Sequence, residues 1–362
     1  MRTVVLGASG NFGRRILRAL KTDPKLELIA AGRTGADPID GVCPVALDIR
    51  ATDFEERLSA LAPQLVIHCV GPFQGQDYHV TRAALTAGAH YLDLADGRQF
   101  VAGFSAANHE AARAAGRLAL SGASTLPALS SAVIETLREP LVSIQEIDIA
   151  IAPGQRSPRG VATLEAVFSY LGRPFSWMHN GRWERAWGWQ ELRRIRFDIG
   201  TRWAAACDVP DLALYPQQYP GLTSVTFRAA LEVGIQHFAL WILAAARRAG
   251  PPLPIERWAA QLDRLASLLD MFGSDRGAMR VSIVGTGHDG ARHRRTWQLS
   301  VQANHGPEIP CLASILLARK FARGEVRAPS GAYPCIGFLK LIDFEEEFAR
   351  WAIRTRVEAA AA

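Results

Sequence analysis

Three glycines spaced Gly7-x-x-Gly10-x-x-Gly13 stand between a short apolar run, 3–6, and a segment, 14–20, that puts Ile16, Leu17 and Leu20 on one helical face. Between a strand and a helix, such a loop suits a pyrophosphate. Glycines allow a tight turn, backbone amides approach the phosphates, and the helix N-terminus adds N–H groups and a favourable dipole. Ser9, Asn11 and Phe12 complete the loop, Ser9 being the extra residue relative to G-x-G-x-x-G. An ordinary glycine turn is the plain alternative.

The next apolar run, 26–31, ends in Gly32-Arg33-Thr34. NAD-selective sites usually place an acid there, to hold the ribose 2′-hydroxyl. A guanidinium can instead pair bidentately with a 2′-phosphate and stack on adenine, and the Thr34 hydroxyl adds a donor. Arg33 thus favours NADP(H) over NAD(H), against the alternative of a solvated surface arginine. Asp48 closes a third strand, 42–47, where it can accept from the adenine amine. Gly71-Pro72-Phe73 stops the fourth run, 65–70, where the chain must pass the ribose and nicotinamide; a plain strand stop fits equally well.

Asp93 and Asp96 end the fifth run, 90–95. Unpaired carboxylates are costly to bury, so these either cap backbone amides or face a site. By position, Tyr91, Asp93 and Asp96 are the proton-donor candidates. The segment 121–131 has the small and polar residues of a loop feeding a helix at the carboxyl edge of the sheet, where open α/β sheets bind ligands. Ser124, Thr125, Ser130 and Ser131 are candidates to hold substrate or the nicotinamide amide, with helix capping as their alternative role.

Other chemistries find no support. No pair of histidines has metal-ligand spacing beside a carboxylate, so no metal is expected. His68, inside a strand, reads as a core residue. No tyrosine has lysine four residues on, which excludes the short-chain dehydrogenase acid–base pair. Gly122-Ala123-Ser124 lacks the second glycine of a nucleophile elbow. The five cysteines, Cys43, Cys69, Cys207, Cys311 and Cys335, form no C-x-x-C and are odd in number, which argues against a zinc site or a disulfide framework.

Helices at 53–61, 78–87 and 104–115 alternate with these strands, and 118–121 adds a sixth. That is the order of a doubly wound parallel sheet covered on both faces, a Rossmann domain. After residue 130 the pattern changes. Runs at 144–152, 194–199 and 224–229 alternate with period two. Helices are expected at 161–170, 235–248, 255–271 and 309–323. Residues 279–285 and 294–303 read as a hairpin around His288-Asp289-Gly290. The expected fold is α/β: a Rossmann domain, 1–128, a second α+β domain with a mostly antiparallel sheet, 129–305, and C-terminal helices, 306–362, packing back on the first domain. Trp177, Trp183, Trp187, Trp189 and Trp203 form a core or line a cleft. An alanine tail, 359–362, is the one low-complexity stretch.

The chain has 362 residues, 49% hydrophobic and 21% charged, which suits two globular domains and excludes a disordered, collagen-like or coiled-coil chain. Net charge is +6, and the scattered basic residues argue against a nucleic-acid partner. The apolar run 238–246 is half of the ~20 residues a membrane span needs, so no integral segment is expected. Beside Arg247 and Arg248 it is compatible with peripheral lipid contact, or with a core or dimer helix. The N-terminus runs straight into a strand and leaves no room for a signal peptide, so the expected location is cytoplasmic.

The combination Gly7-Ala-Ser-Gly-Asn-Phe-Gly13, Ala31-Gly-Arg33, Val70-Gly-Pro-Phe73 and Ala84-Leu-Thr-Ala-Gly88-Ala-His-Tyr91-Leu-Asp93-Leu-Ala-Asp96 resembles the saccharopine dehydrogenase-like family. Gly306-Pro-Glu-Ile-Pro310 and Gly331-Ala-Tyr-Pro are similar to segments of its members. The resemblance covers roughly 1–135, and more weakly 278–340. It implies a Rossmann domain, a second domain whose sheet often mediates dimerisation, hence a homodimer, and NAD(P)-dependent chemistry that forms or cleaves secondary amines through imines; relatives also include enoyl reductases acting on lipids. Gly7, Gly10, Gly13 and Arg33 fall on the family's NADP-binding positions, and Gly71-Pro72 and Tyr91/Asp93 on segments lining the nicotinamide side. The lysine–histidine pair of the lysine-forming enzymes and the arginines that grip amino-acid carboxylates find no match, which puts saccharopine itself in doubt as substrate. The expectation is an NADP(H)-dependent oxidoreductase transferring hydride to a C=N or C=C bond of a small organic molecule. The alternative, motivated by the lack of an evident acid–base pair, is a non-catalytic NADP-binding regulator.

Overall fold

The computed structural model describes residues 1–35, 39–250 and 254–361. Two compact units divide the chain: Met1–Leu129 with Glu308–Leu339, and Ser130–Pro307 with Lys340–Ala362.

In the first unit β1 (Arg2–Leu6), α1 (Asn11–Leu20), β2 (Glu27–Gly32), β3 (Cys43–Ala46), α2 (Phe54–Ala60), β4 (Leu65–His68), α3 (His79–Thr86), β5 (His90–Asp93), α4 (Arg98–Ala114) and β6 (Leu118–Ser121) follow in turn. The strands pair in parallel in the order β3-β2-β1-β4-β5-β6. The order reverses at β1, which lies between β2 and β4, so the glycine loop leaves the sheet at its switch point. Val4, Val5, Val66, Ile67 and Leu92 are wholly buried. Helices cover both faces of such a sheet, which is why its strands read as unbroken apolar runs.

In the second unit come α5 (Ser130–Arg138), β7 (Leu141–Ala152), α6 (Val161–Tyr170), β8 (Pro174–His179), β9 (Arg182–Trp187), β10 (Arg193–Phe197), β11 (Gly200–Ala206), α7 (Asp211–Gln218), β12 (Ser224–Ala229), α8 (Gly234–Ala249), α9 (Ala259–Ser267), β13 (Gly277–Gly287) and β14 (Arg292–Val301). The sheet runs β10-β11-β12-β7-β13-β14, with β8 and β9 branching from β12. Only the β12–β7 pair is parallel among the described strands. The five tryptophans are not all core residues. Trp177 and Trp189 are buried, while Trp183 and Trp203 are exposed on separate strands.

The C-terminal segment departs from expectation. α10 (Ile309–Arg323) and β15 (Gly331–Pro334) do return to the first unit, where β15 pairs in parallel with β6 as a seventh strand. The remainder, α11 (Leu341–Arg350) and β16 (Arg354–Ala361), belongs instead to the second unit. Packing explains the split: Phe344 and Phe348 of α11 are buried, Phe348 against Trp297 at 6.3 Å between ring centroids. β16 completes the second sheet by antiparallel pairing with β14. Ala359, Ala360 and Ala361 are therefore ladder residues rather than a tail, because main-chain hydrogen bonds do not depend on side-chain type. No helix among the described residues is long and apolar enough to cross a membrane.

Candidate active site

The turn between β1 and α1 is closed by backbone alone. The Gly7 and Ala8 amides both donate to the Ala31 carbonyl, at 2.9 and 3.0 Å, and the Gly10 amide donates to the Gly7 carbonyl at 3.0 Å. Gly7 has φ +80°, a conformation that costs an L-residue about 1–2 kcal/mol. A Cβ on Gly13 would lie 2.3 Å from the Gly7 oxygen and 2.9 Å from Ala8 Cα. A Cβ on Gly10 would lie 3.1 Å from the same oxygen. α1 starts at Gly10 with no side-chain cap and no acid in its first turn, the electrostatic setting that accepts an anion. Ser9 is exposed and its carbonyl accepts from Arg14 Nε; Asn11 and Phe12 are half-buried in the first turn.

At the end of β2, Arg33 and Thr34 are both exposed. Arg33 has no ion-pair partner among the described residues. The Thr34 hydroxyl lies 3.4 Å from the Gly35 carbonyl. Asp48 is half-buried and spends Oδ1 on the Arg50 amide, 3.0 Å away, as a turn cap.

The loop after β4 is braced by a residue outside the quoted motif: Gln76 Nε2 donates to the Val70 and Pro72 carbonyls at 2.8 and 2.7 Å. Gly71 and Pro72 are half-buried. Phe73 turns inward, 4% exposed, and packs on His68 and Phe100 with centroids 5.0 and 5.4 Å apart. Its side chain is part of the core.

The three proton-donor candidates separate sharply. Tyr91 is fully buried, stacked on Phe104 of α4, with its hydroxyl 2.9 Å from His68 Nδ1. Burial raises its pKa well above that of a free phenol and drives His68 down to about 3, so both stay neutral. Asp93 is also fully buried. Its Oδ1 accepts from the Ala95 amide, Ser121 Oγ and the Gly122 amide at 3.0, 3.0 and 2.7 Å. Burial lifts its pKa to about 6, and those hydrogen bonds oppose the rise. Both side chains are fully buried, Tyr91 against α4 and Asp93 beneath the loops that follow β5 and β6. Asp93 is the anchor of those loops. Asp96 differs: it is half-buried past the end of β5, and its Oδ1 accepts from Gln74 Nε2 at 3.2 Å. Burial again raises its pKa. A Cβ on the adjacent Gly97 would touch the Phe73 carbonyl carbon at 3.3 Å, so the loops after β4 and β5 meet closely here.

In the loop after β6, Gly122 takes φ +78°, where a Cβ would lie 2.4 Å from Pro127 Cδ. Ser124 is buried and Thr125 half-buried. Ser130 belongs to the other unit. Its Oγ donates to Asp211 Oδ1 and lies against the Tyr215 hydroxyl, both at 2.5 Å, with no exposure. The Ser130 hydroxyl is thus engaged within its own unit; Ser131 is likewise buried. α10 supports both loops from behind: Ser314 Oγ donates to the Ala123 carbonyl at 2.6 Å, the Cys311 thiol lies 3.8 Å from the Phe12 carbonyl, and Glu308 pairs with Arg15.

Residues 3–120 match the family model of the saccharopine dehydrogenase NADP-binding domain. A probable mitochondrial saccharopine dehydrogenase-like oxidoreductase from Arabidopsis thaliana is 32% identical over 146 residues, which span 34% of this chain and 32% of that protein. Residues 3–120 are thus similar to that domain. The matched part is thus about a third of the relative's length. Beyond that domain the likeness is one of fold. Apo saccharopine dehydrogenase (L-Glu forming) from Saccharomyces cerevisiae superposes with TM-score 0.69 at 11% identity, over 99% of this chain and 100% of that one. Homospermidine synthase from Legionella pneumophila, in complex with NAD, gives 0.62 at 11% identity over 100% and 91%.

Within the first unit, sequence reasoning missed Gln74, Gln76 and the α10 contacts. The glutamines lie directly after Gly71-Pro72-Phe73, and their place beside that turn was the available signal. Nothing local marks Ser314 or Glu308 as partners of loops some two hundred or more residues away.

Proposed function

We propose that this protein is an NADP(H)-dependent oxidoreductase that transfers hydride to a C=N or C=C bond of a small organic substrate. The observation that carries the proposal is the β1–α1 turn, where a Cβ at Gly13 would fall 2.3 Å from the Gly7 oxygen, followed by the exposed, unpaired Arg33 after β2. Gly7, Ser9, Gly10, Asn11, Phe12 and Gly13 would cradle the pyrophosphate, Arg33 and Thr34 the 2′-phosphate, and Asp48 the adenine side. Gly71 and Pro72 would border the nicotinamide. The cofactor supplies the hydride and the protein supplies orientation and a proton.

Asp96 is the proton donor in this reading. It is the one carboxyl of the three candidates that opens to the surface at the carboxyl edge, and its raised pKa keeps the proton available nearer neutral pH. Gln74 orients it. Asp93 acts as a positioning residue through the Ala95 and Gly122 amides, and Ser124 and Thr125 border the substrate. The names of the relatives, saccharopine dehydrogenase and homospermidine synthase, favour C=N over C=C, and the complex of the latter with NAD keeps NAD(H) as the competing cofactor. We further propose a cytoplasmic homodimer, on the family resemblance and the free cysteines.

The test is NADPH oxidation against imines, oxo acids with amines, and enoyl thioesters. Turnover with the first two groups supports the C=N reading, and turnover with thioesters the C=C one. Tight NADPH binding without oxidation of any would favour a non-catalytic regulator.

A further inference from the structure

The second unit carries an apolar surface that the proposed chemistry does not use. On α8, Ile235, Phe238 and Ile242 recur at helical spacing and point outward, Ile235 at 71% exposure. On α9 and the turn after it, Leu265, Leu268, Met271 and Phe272 are also exposed, Met271 at 77%. The two helices are pinned at both ends. Arg247 at the end of α8 pairs with Glu256 at 2.8 Å, and Glu232 before α8 accepts from the Ser274 amide and hydroxyl at 2.8 and 2.6 Å. Exposed apolar side chains on two helices joined at both ends suit a docking surface.

Charge decides what docks there. Every acid from 232 to 270 faces an arginine: Glu232 meets Arg202, Glu256 meets Arg173 and Arg247, and Asp263 and Asp270 meet Arg159. Arg257 and Arg264 are exposed and have no ion-pair partner among the described residues. Tryptophan–arginine pairs border α8. Arg194 lies 5.9 Å over the exposed Trp203, which meets Phe238 at 6.0 Å, and Arg248 lies 4.5 Å over Trp187. Apolar side chains flanked by tryptophans and unneutralised arginines match the layering of a bilayer interface: acyl chains, glycerol region, anionic headgroups. We propose that the α8–α9 surface docks on an anionic phospholipid membrane, with the chain remaining peripheral.

The experiment is co-sedimentation of the full chain with phosphatidylcholine vesicles, with and without about one third phosphatidylglycerol. The expected result is binding to the anionic vesicles that weakens as salt rises. Ile242→Glu with Leu268→Glu should lower it by about tenfold or more, and Arg257→Glu with Arg264→Glu by about tenfold. All four side chains are exposed, so melting temperature and circular dichroism should be unchanged; were the first pair to unfold, the arginine pair tests the same surface. No binding by the folded wild type would overturn the proposal. So would binding that neither pair diminishes. A wild-type oligomer that the apolar pair turns into monomer, without vesicle binding, would show the surface to be a contact between copies of this chain.

Discussion

The turn after β1 and the loops after β5 and β6 lie along one sheet edge, yet they are held in opposite ways. The first is a backbone structure: its hydrogen bonds run between amides and carbonyls, and its side chains are absent by steric necessity. The others hang on one buried carboxylate, Asp93, which gathers a serine hydroxyl and two amides. A site built from absent side chains is written into the sequence as glycines. One built from a buried side chain looks, in sequence, like any polar residue near a strand end.

The largest expected effect separates the two aspartates of the second loop system. Asp96→Asn should cut turnover by about 10²–10⁴-fold, the span of general acid catalysis, with NADPH affinity nearly unchanged. Steady-state kinetics beside a binding titration would check it; equal turnover in variant and wild type would remove Asp96 from the chemistry. Next comes the backbone-built turn. Gly13→Ala forces a Cβ onto the Gly7 oxygen, for which no flexible side chain can give way. About 3 kcal/mol of overpacking strain is expected, read as NADPH affinity lower by about a hundredfold or more. An unchanged affinity would mean that the phosphates do not use this turn.

A smaller effect concerns pH. The folded pKa of Asp93, about 6, lies above its ordinary 3.8, so the native state holds this proton more tightly than the unfolded chain. The stability it contributes is full below about pH 4 and is lost as pH rises through 6, of order 2–3 kcal/mol at 1.36 kcal/mol per unit. Asp211, also about 6 through burial, repeats the pattern in the other unit on hydroxyl donors from Ser130 and Tyr215. Denaturant melts from pH 4 to 8 should show a flatter slope in Asp93→Asn and in Asp211→Asn. Only Asp93→Asn should also weaken catalysis, through the two loops it anchors.

Legibility followed the same division. The parallel order of the first sheet could be read because its strands are apolar throughout and its helices punctuate them; the period-two runs gave the second sheet. The glycine turn and Arg33 stood out because few residue types suit those positions. The full burial of Tyr91 and Asp93 was not legible, because strand position says nothing of which layer a side chain enters. The inward turn of Phe73 from the loop after β4 was equally hidden. Ser130 was assigned to the loop edge although it starts a helix of the other unit. β15, four residues of Gly-Ala-Tyr-Pro, has no strand propensity and exists only because β6 offers an unpaired edge. β16 is a ladder on β14 in the same sense. Such edges are tertiary facts that no local pattern encodes.

In the proposed function the first unit binds NADP(H) through Arg33. Calorimetric titration of NADPH and NADH into wild type and Arg33→Ala tests it most directly. One charge-assisted contact is worth about 1.5–3 kcal/mol, so the alanine variant should bind NADPH about one to two orders of magnitude more weakly and NADH almost as before. Arg33→Asp should go further, repelling the 2′-phosphate while accepting from a free 2′-hydroxyl. Equal losses for both cofactors, or a wild type that prefers NADH, would contradict the assignment.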